Sequence, residues 1–226
     1  MLALPAMPVD DLPCQLLTAR SSARRFLYFL DDDNALKPHA LRTLLGAALA
    51  SGAHVLTSAN EKWDSLEPPP SFGREQARGG PNGRWAPDPA STERWLPVGA
   101  SATVGMFRNC YGDASALVAR AAFEGLGGFT EDAGVGHEDW ELWARATLHG
   151  YKLQVVPEAL YWYRIAAGRG GGAGMLAESI GDSRLAQAQR QANHARSLRP
   201  YLQRLAGWPE AQEAVQLAQG LYLEGA

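Results

Sequence analysis

The chain has 226 residues, of which 46% are hydrophobic and 20% are charged, and its formal net charge is −3. The high apolar content and low charge exclude a wholly disordered protein, and the negative charge argues against a nucleic-acid binder that follows phosphates. Two cysteines, Cys14 and Cys110, are too few for a disulfide framework or a four-cysteine zinc site.

Two features that the sequence lacks bear on the expected cellular location of the protein. No apolar run reaches the length of about 18 residues that a transmembrane helix needs. The first residues, MLALPAMPVDDLPC, lack the basic start and the uninterrupted apolar core of a signal peptide. We therefore expect a cytoplasmic protein without a membrane span.

The first regular elements are predicted after a proline-punctuated segment of unclear structure at 1–25. FLYFL, at 26–30, is a short apolar run typical of a strand that is buried on both faces. A helix with Pro38 in its first turn and Gly52 at its end follows, and HVLTS at 54–58 predicts a second strand. The succession of strand, helix and strand predicts a parallel α/β sheet.

Prolines and glycines crowd the segment 64–98, which predicts an irregular insertion. Regular structure resumes at 115–129 with a short strand and a short helix. A longer helix is predicted within HEDWELWARATLHG, residues 137–150. Two strand segments follow at 153–165, separated by Pro157, which cannot donate a hydrogen bond to a strand ladder.

The remaining chain has two parts. The glycine run at 168–174 predicts a hinge or lid; it partly fits the spacing of a dinucleotide-binding loop, but the acidic residue expected about 20 positions later is missing. Residues 175–226 predict a helical extension of two or three helices, with boundaries at Pro200 and Pro209.

A row of carboxylates, Asp31, Asp32 and Asp33, followed by Asn34, ends the first predicted strand. Ligands of open α/β sheets bind beyond the carboxyl ends of the strands. Adjacent carboxylates repel one another, and their hard oxygen atoms suit Mg²⁺ or Mn²⁺. In an extended segment Asp31 and Asp33 would share one side. The alternative is a solvated turn before a helix, where carboxylates are favoured in any case.

A second acidic pair, Glu138 and Asp139, opens the predicted helix at 137–150. The helix dipole favours anions there and is expected to lower their pKa values. One interpretation is a general base held on a rigid element, with Trp140 and Trp143 forming an apolar wall. The alternative is ordinary charge complementation at a helix start, with both tryptophans in the core.

These motifs together resemble the family 2 glycosyltransferases, which have the GT-A fold. FLYFLDDDNALKPHAL is similar to their metal-binding segment, in which an apolar strand leads into an Asp-x-Asp motif. SALVARAAFEGLGGF and GHEDWELWARATLHGYKLQVVPEALYWYR are similar to their downstream half, in the same order and spacing. The resemblance covers residues 24–167. It implies an α/β catalytic region at 26–167 with a partial GT-A mixed sheet, flanking helices and a C-terminal helical extension.

The resemblance implies an enzyme of carbohydrate biosynthesis. It would transfer a sugar from a nucleotide-sugar donor to a hydroxyl of a glycan, lipid or protein acceptor. Asp31, Asp32 and Asp33 would form the cofactor-binding segment, in which Asp31 and Asp33 hold Mn²⁺ or Mg²⁺, with Asp33 the more direct ligand. Such a metal stabilises the diphosphate leaving group.

The resemblance also implies roles on the acceptor side. Asp139 would be the general base and Glu138 would orient the acceptor, while Gly112, Asp113 and Trp140 would contact it. The implied outcome is inversion at the anomeric carbon. The chain lacks the Gln-x-x-Arg-Trp motif of processive synthases, which favours transfer of a single sugar.

The chain departs from the family in one respect. The nucleotide-binding half that should precede FLYFL has no counterpart in residues 1–25. We therefore expect an unpaired strand edge at 26–30, poor turnover by the chain alone, and another transferase domain as the partner that supplies the missing half.

Two other interpretations stay open. One is a catalytically inactive sugar-binding or interaction module derived from a truncated transferase. The other is a nucleotidyltransferase-like metal enzyme, which would need a glycine- and lysine-rich phosphate loop near the N-terminus that the sequence lacks.

Overall fold

A computed structural model describes residues 25–64, 93–165 and 183–225 of the chain. The strands are β1 (Phe26–Tyr28), β2 (Ala35–Leu36), β3 (Val55–Asp64), β4 (Glu93–Trp95), β5 (Leu117–Ala119) and β6 (Leu153–Ile165). The helices are α1 (Ala40–Ser51), α2 (Ala102–Gly105), α3 (Arg120–Gly125), α4 (Glu138–Leu148), α5 (Ser183–Arg204) and α6 (Pro209–Gly225). The six strands form one sheet flanked by helices, so the fold is mixed α/β.

The sheet is mixed, in the order β1-β5-β3-β6-β2, with β4 beside β3. β3 and β6 pair in parallel, and the other neighbours are antiparallel. The parallel sheet expected from the strand–helix–strand pattern is therefore limited to the pairing of β3 with β6, whereas the expected mixed sheet with flanking helices is confirmed. β1 and β3 do run in the same direction across α1, but β5 lies between them and is antiparallel to both.

β1 lies at one edge of the sheet and is half-buried, whereas the sequence predicted a strand buried on both faces. Leu27 and Phe29 pack against one apolar cluster and Phe26 and Tyr28 against the other, so both faces of β1 are covered. Among the described residues β1 pairs with β5 alone. Residues 1–24 lie outside the described part of the chain, so the unpaired strand edge stays a prediction.

β6 is one continuous strand, where the sequence predicted two segments broken by Pro157. The register against β3 shifts between Ser58 and Asn60, so that Val156 and Ala159 are successive partners. Pro157 falls in this irregularity, where the ladder skips it. Its missing N–H therefore costs no inter-strand hydrogen bond.

Several element boundaries also differ from the predictions. β3 runs on to Asp64, and β4 lies inside the segment 64–98 that was expected to be irregular. Pro200 lies within α5 and does not bound it, whereas Pro209 opens α6 as predicted. The predicted hinge at 168–174 lies outside the described residues, as do residues 1–24.

Two apolar clusters cover the two faces of the sheet, because successive residues of a strand point to opposite sides. Val55 and Val118 belong to one cluster, which contains Trp143 of α4 and part of α5. Leu56 and Leu117 belong to the other, which packs against α1. Within the described ranges, no helix is long and apolar enough to cross a membrane.

Candidate functional site

The acidic segment after β1 is a turn. The backbone N–H of Asn34 donates to the Asp31 carbonyl at 3.1 Å, and the Asn34 side-chain amide donates to the Asp31 carboxylate at 3.1 Å. The argument that strand alternation places Asp31 and Asp33 on one side is therefore wrong. Asp31 and Asp32 are exposed, and Asp33 is half-buried.

Asn34 ties this turn to β6 and to the loop before β5. Its Oδ1 accepts a hydrogen bond from the backbone N–H of Arg164 at 3.1 Å, and its Nδ2 lies 3.5 Å from Ser115 Oγ. The carboxylates of Asp31, Asp32 and Asp33 are thereby held at the end of the sheet. The sequence pattern included Asn34 in the acidic row but gave no sign of this anchoring.

Asp113 lies in the loop before β5 and has a hydrogen-bond network of its own. Its carboxylate accepts from the Tyr161 hydroxyl, from the Ser115 N–H at 2.9 Å and from the Asn60 side-chain amide at 3.4 Å. Asn60 Nδ2 also donates to Tyr161 Oη at 2.8 Å. The pKa of Asp113 is raised to about 6. Burial is the main cause, because the loss of hydration outweighs these donors, and the negative charge of Asp31 contributes to the same shift.

Asp139 is the second residue of α4, and its pKa is raised well above the ordinary value. Burial is the largest cause, followed by the like charges of Glu138, Asp113 and Asp31. The Trp140 N–H donates to Asp139 Oδ1 at 2.6 Å and opposes the shift. The prediction that the helix dipole lowers this pKa is wrong, since desolvation and three neighbouring carboxylates outweigh the dipole.

The structure thus brings together carboxylates from three separate segments. Asp31 comes from the turn after β1, Asp113 from the loop before β5, and Glu138 and Asp139 from the start of α4. They are close enough that Asp31 raises the pKa values of both Asp113 and Asp139, while Glu138 raises that of Asp31. We call these four residues the acidic cluster.

Phenol groups flank the acidic cluster. Burial raises the pKa of Tyr28 and of Tyr163, and Asp113 and Asp31 raise both further. The Tyr28 hydroxyl is buried and has no hydrogen-bond partner in the described part of the chain. Sequence reasoning missed Tyr28, Asn60 and Tyr161. The two tyrosines lie in apolar strand patterns and Asn60 lies just beyond the predicted strand 54–58, and all three interact with Asp113 only through the fold.

Gly112 holds the loop of Asp113 against β3. It is buried with φ 130°, and a Cβ there would lie 2.5 Å from Thr57 Cβ. Thr57 Oγ1 donates to the Tyr111 carbonyl at 2.6 Å, and Trp143 Nε1 donates to the Asp113 carbonyl at 3.0 Å. These contacts give Gly112 a structural role in placing Asp113.

Trp140 packs in the core. It is 4% exposed, its Nε1 donates to the Gly105 carbonyl at 2.6 Å, and its ring contacts His137 and His194. Trp140 is thus a core residue, as the alternative interpretation held, and its contact with an acceptor stays a prediction.

The expected metal ligands form an incomplete set. Asp31 and Asp33 carry the hard oxygen atoms that Mg²⁺ and Mn²⁺ prefer, and their like charges raise the pKa of Asp31. Among the described residues, no group of three or more histidines, cysteines, aspartates or glutamates is arranged to hold a metal ion. A cation at Asp31 and Asp33 would need further ligands, such as the oxygens of a bound phosphate.

Comparison with known proteins identifies no family. No protein-family model matches the chain, and no curated protein shows significant similarity to it. The chemistry of the site has to be inferred from its own residues.

Proposed function

We propose that this chain is the catalytic region of a glycosyltransferase that moves a sugar from a nucleotide-sugar donor to an acceptor hydroxyl. The observation that carries the proposal is the acidic cluster. It joins the acidic turn after β1 to the Glu138–Asp139 pair at the start of α4. The resemblance of these same segments to family 2 glycosyltransferases assigns one to the donor and the other to the acceptor.

The acidic turn would bind the donor. Asp31 and Asp33 would hold Mn²⁺ or Mg²⁺, which when bound neutralises charge that develops on the leaving diphosphate. Asn34 supports this role, since it fixes the turn to β6 through Arg164. The incomplete ligand set also fits, because the diphosphate would supply the missing oxygens.

Asp139 would be the general base. Its raised pKa makes its carboxylate a stronger base than an exposed aspartate, which suits removal of a hydroxyl proton. In the reaction the acceptor hydroxyl gives its proton to Asp139 and its oxygen attacks the anomeric carbon. The bond from that carbon to the diphosphate oxygen breaks, and the diphosphate leaves with the electron pair. The result is inversion.

Glu138 and Asp113 would bind the acceptor. Glu138 has a half-buried side chain next to the base. Asp113 is held by Tyr161, Asn60 and Ser115, so its orientation is fixed before a ligand arrives. A preorganised carboxylate of this kind accepts hydrogen bonds from sugar hydroxyls without reorganisation.

A second candidate is a catalytically inactive sugar-binding module. The fixed carboxylate of Asp113 favours it, because such a group can accept hydrogen bonds from sugar hydroxyls without a metal. Such a module would use the same carboxylates and phenols to bind hydroxyls, with no metal and no turnover.

The decisive variants are Asp139→Asn and Glu138→Gln. In an enzyme completed with the missing nucleotide-binding half, with Mn²⁺ and a panel of nucleotide sugars, Asp139→Asn should lower kcat about 10²–10⁴-fold and leave donor binding nearly unchanged, because asparagine cannot take the proton. Glu138→Gln should weaken acceptor use and affect donor hydrolysis less. Transfer at the parent rate by Asp139→Asn would remove Asp139 from the mechanism.

Calorimetry of Mn²⁺ binding, with and without a nucleoside diphosphate, tests the metal role. Asp33→Ala should weaken binding more than Asp31→Ala, and the exposed Asp32→Ala on the same turn is the matched control. Equal Mn²⁺ affinity in Asp33→Ala and Asp32→Ala would contradict the metal site. Sugar binding without Mn²⁺ dependence or turnover would favour the inactive module.

A further inference from the structure

α5 packs against the loop that leads into α4. Arg196 of α5 is 3% exposed, and its guanidinium donates to the backbone carbonyls of Thr130 and Val135. It also donates to Thr130 Oγ1, at 3.1 Å from Nε and 2.9 Å from Nη2, and its Nη1 lies 3.5 Å from the Gly136 carbonyl. One buried side chain therefore binds both ends of residues 130–136.

The same guanidinium pairs with two carboxylates. Asp132 Oδ2 lies 3.3 Å from Arg196 Nε, and Glu138 Oε2 lies 3.9 Å from Nη1. Glu138 is the first residue of α4 and directly precedes Asp139. The positive charge of Arg196 therefore lies near Glu138, the member of the acidic cluster that begins α4.

Two more side chains of α5 satisfy polar groups of this loop. Asn193 Oδ1 accepts a hydrogen bond from the Gly136 N–H at 2.8 Å, and Gln189 Nε2 donates to the Gly134 carbonyl at 2.8 Å. A Cβ on Gly136 would lie 3.3 Å from Asn193 Nδ2, so the loop and α5 are in close contact. These backbone groups have their partners on α5 and not within the loop.

The residue between this loop and α4 has an unfavourable backbone conformation. His137 has φ 66° and is the only non-glycine with positive φ in the described ranges. A non-glycine residue in this region costs about 1–3 kcal/mol and persists where surrounding contacts enforce it. The His137 ring packs against Trp140 at 4.9 Å and against His194 of α5 at 5.2 Å, between centroids.

α5 also reaches the loop that carries Asp113. The hydroxyls of Tyr201 and Tyr111 are 2.6 Å apart and buried, and Tyr111 precedes Asp113 by two residues. One helix therefore contacts two of the three segments that bring carboxylates into the acidic cluster.

We infer that α5 is a positioning element of the site, and that Arg196 is the positioning residue that fixes the start of α4, with Glu138 and Asp139, relative to Asp113. The catalytic consequence rests on the proposed function. The guanidinium is suited to this role because its planar fork binds several separate acceptors at fixed angles. A lysine at this position would keep the positive charge, but its single ammonium group could not bind the same set of carbonyl, hydroxyl and carboxylate oxygens.

The test compares Arg196→Lys and Arg196→Met with the control Arg199→Lys in the full chain. Arg199 binds Asp132 of the same loop at 3.0 Å from the same helix, but it is 40% exposed. Arg196→Lys retains the charge but loses several buried hydrogen bonds, so its melting temperature is expected to fall below that of Arg199→Lys, and all variants are compared at a temperature where each is fully folded. Two readouts are taken: hydrogen exchange of the backbone amides of residues 136–140, and the steady-state kinetics of sugar transfer.

We expect amide exchange at residues 136–140 to rise about tenfold in Arg196→Lys and further in Arg196→Met, with no such rise in Arg199→Lys. The kcat for transfer should fall about 10–100-fold in both Arg196 variants with an unchanged KM for the donor, since a small misplacement of the base slows the chemical step.

Exchange and kcat in Arg196→Lys equal to those of Arg199→Lys would overturn the inference and leave the proposed function intact. If the parent chain transfers no sugar even when a transferase domain supplies the missing nucleotide-binding half, but exchange rises as expected, the proposed function fails and the positioning role stands.

Discussion

Replacing Asp113 with asparagine is expected to stabilise the chain at neutral pH. The Asp113 carboxylate is half-buried, and its pKa is raised from the ordinary value of 3.8 to about 6 because burial disfavours the charged form. Asparagine has nearly the same shape and no charge to bury. Its amide can still accept from the Ser115 N–H and donate to the Tyr161 oxygen.

The magnitude follows from the pKa shift. The shift of Asp113 is about two units, and each unit corresponds to about 1.4 kcal/mol, so ionising it in the folded chain costs about 3 kcal/mol more than in the unfolded chain. Asparagine avoids this cost but loses one hydrogen bond to a charged acceptor, worth about 1–2 kcal/mol. The net gain above pH 7 is about 1–2 kcal/mol.

The stability difference between the Asp113→Asn variant and the parent chain depends on pH. Between about pH 4 and pH 6 the folded chain keeps the Asp113 proton while the unfolded chain releases it, so this group makes the protein less stable as pH rises through that window. Below pH 4 both states are protonated and the advantage of asparagine disappears. The variant should therefore be more stable than the parent at pH 7.5 and no more stable at pH 4.

Urea unfolding of parent and variant at pH 4, 5, 6 and 7.5 measures this difference. Other carboxylates of the acidic cluster also titrate, but they are common to both proteins and largely cancel. Glu124→Gln is the control, because Glu124 is 62% exposed and its pair with Arg120 contributes little. An Asp113→Asn variant that is less stable than the parent by the same amount at every pH would refute the argument.

Two further predictions concern the packing around the site. Gly112→Ala should lower the free energy of unfolding by about 3 kcal/mol, because φ is 130° and the added Cβ would lie 2.5 Å from Thr57 Cβ; an unchanged melting temperature would show that the loop adapts. Tyr201→Phe should cost about 1–3 kcal/mol in urea unfolding, because it leaves the buried Tyr111 hydroxyl without its partner. Adding Tyr111→Phe should cost less than the sum of the single changes, and strict additivity would count against a direct bond.

Local sequence patterns correctly predicted the helices and strands whose spacing and end signals lie within one short segment. The helix α4 begins at Glu138 and ends at Leu148, within the predicted 137–150, because its acidic first turn and its apolar spacing are both encoded within one segment. Gly52 ends α1 in the left-handed conformation, as the pattern indicates. β5 and α3 likewise fall within the predicted 115–129.

The predictions failed where the outcome depends on residues far apart in sequence. The insertion of β5 between β1 and β3 leaves no mark on the segment 26–58, which would look the same in a parallel sheet. The pKa of Asp139 was expected to follow the helix dipole, a local effect, but burial outweighs it, with smaller contributions from Glu138 and from Asp113 and Asp31 of other segments. Pro157 breaks a strand pattern locally, yet the register shift against β3 accommodates it.

The candidate site likewise contains residues that local sequence patterns identified and residues that only the tertiary structure reveals. Asp31, Asp33, Glu138 and Asp139 were identified because acidic residues at the end of a strand or the start of a helix stand out. Other contributors were missed because their roles come from tertiary contacts, such as those of Asn60 and Tyr161 with Asp113. Arg196 belongs to this group, since it lies in a helix whose sequence shows only composition and no motif.

The parallel pairing of β3 with β6 affects the order in which parts of the chain can fold during synthesis. His54, next to β3, contacts Lys152, next to β6, and 98 positions separate them. Closing so long a loop costs entropy before any contact repays it, so this step is expected to come late in folding. During synthesis, β3 leaves the ribosome long before β6 exists. Until then Val55 and Leu56, fully buried in the finished sheet, stay exposed, and the nascent chain is open to chaperones and to aggregation.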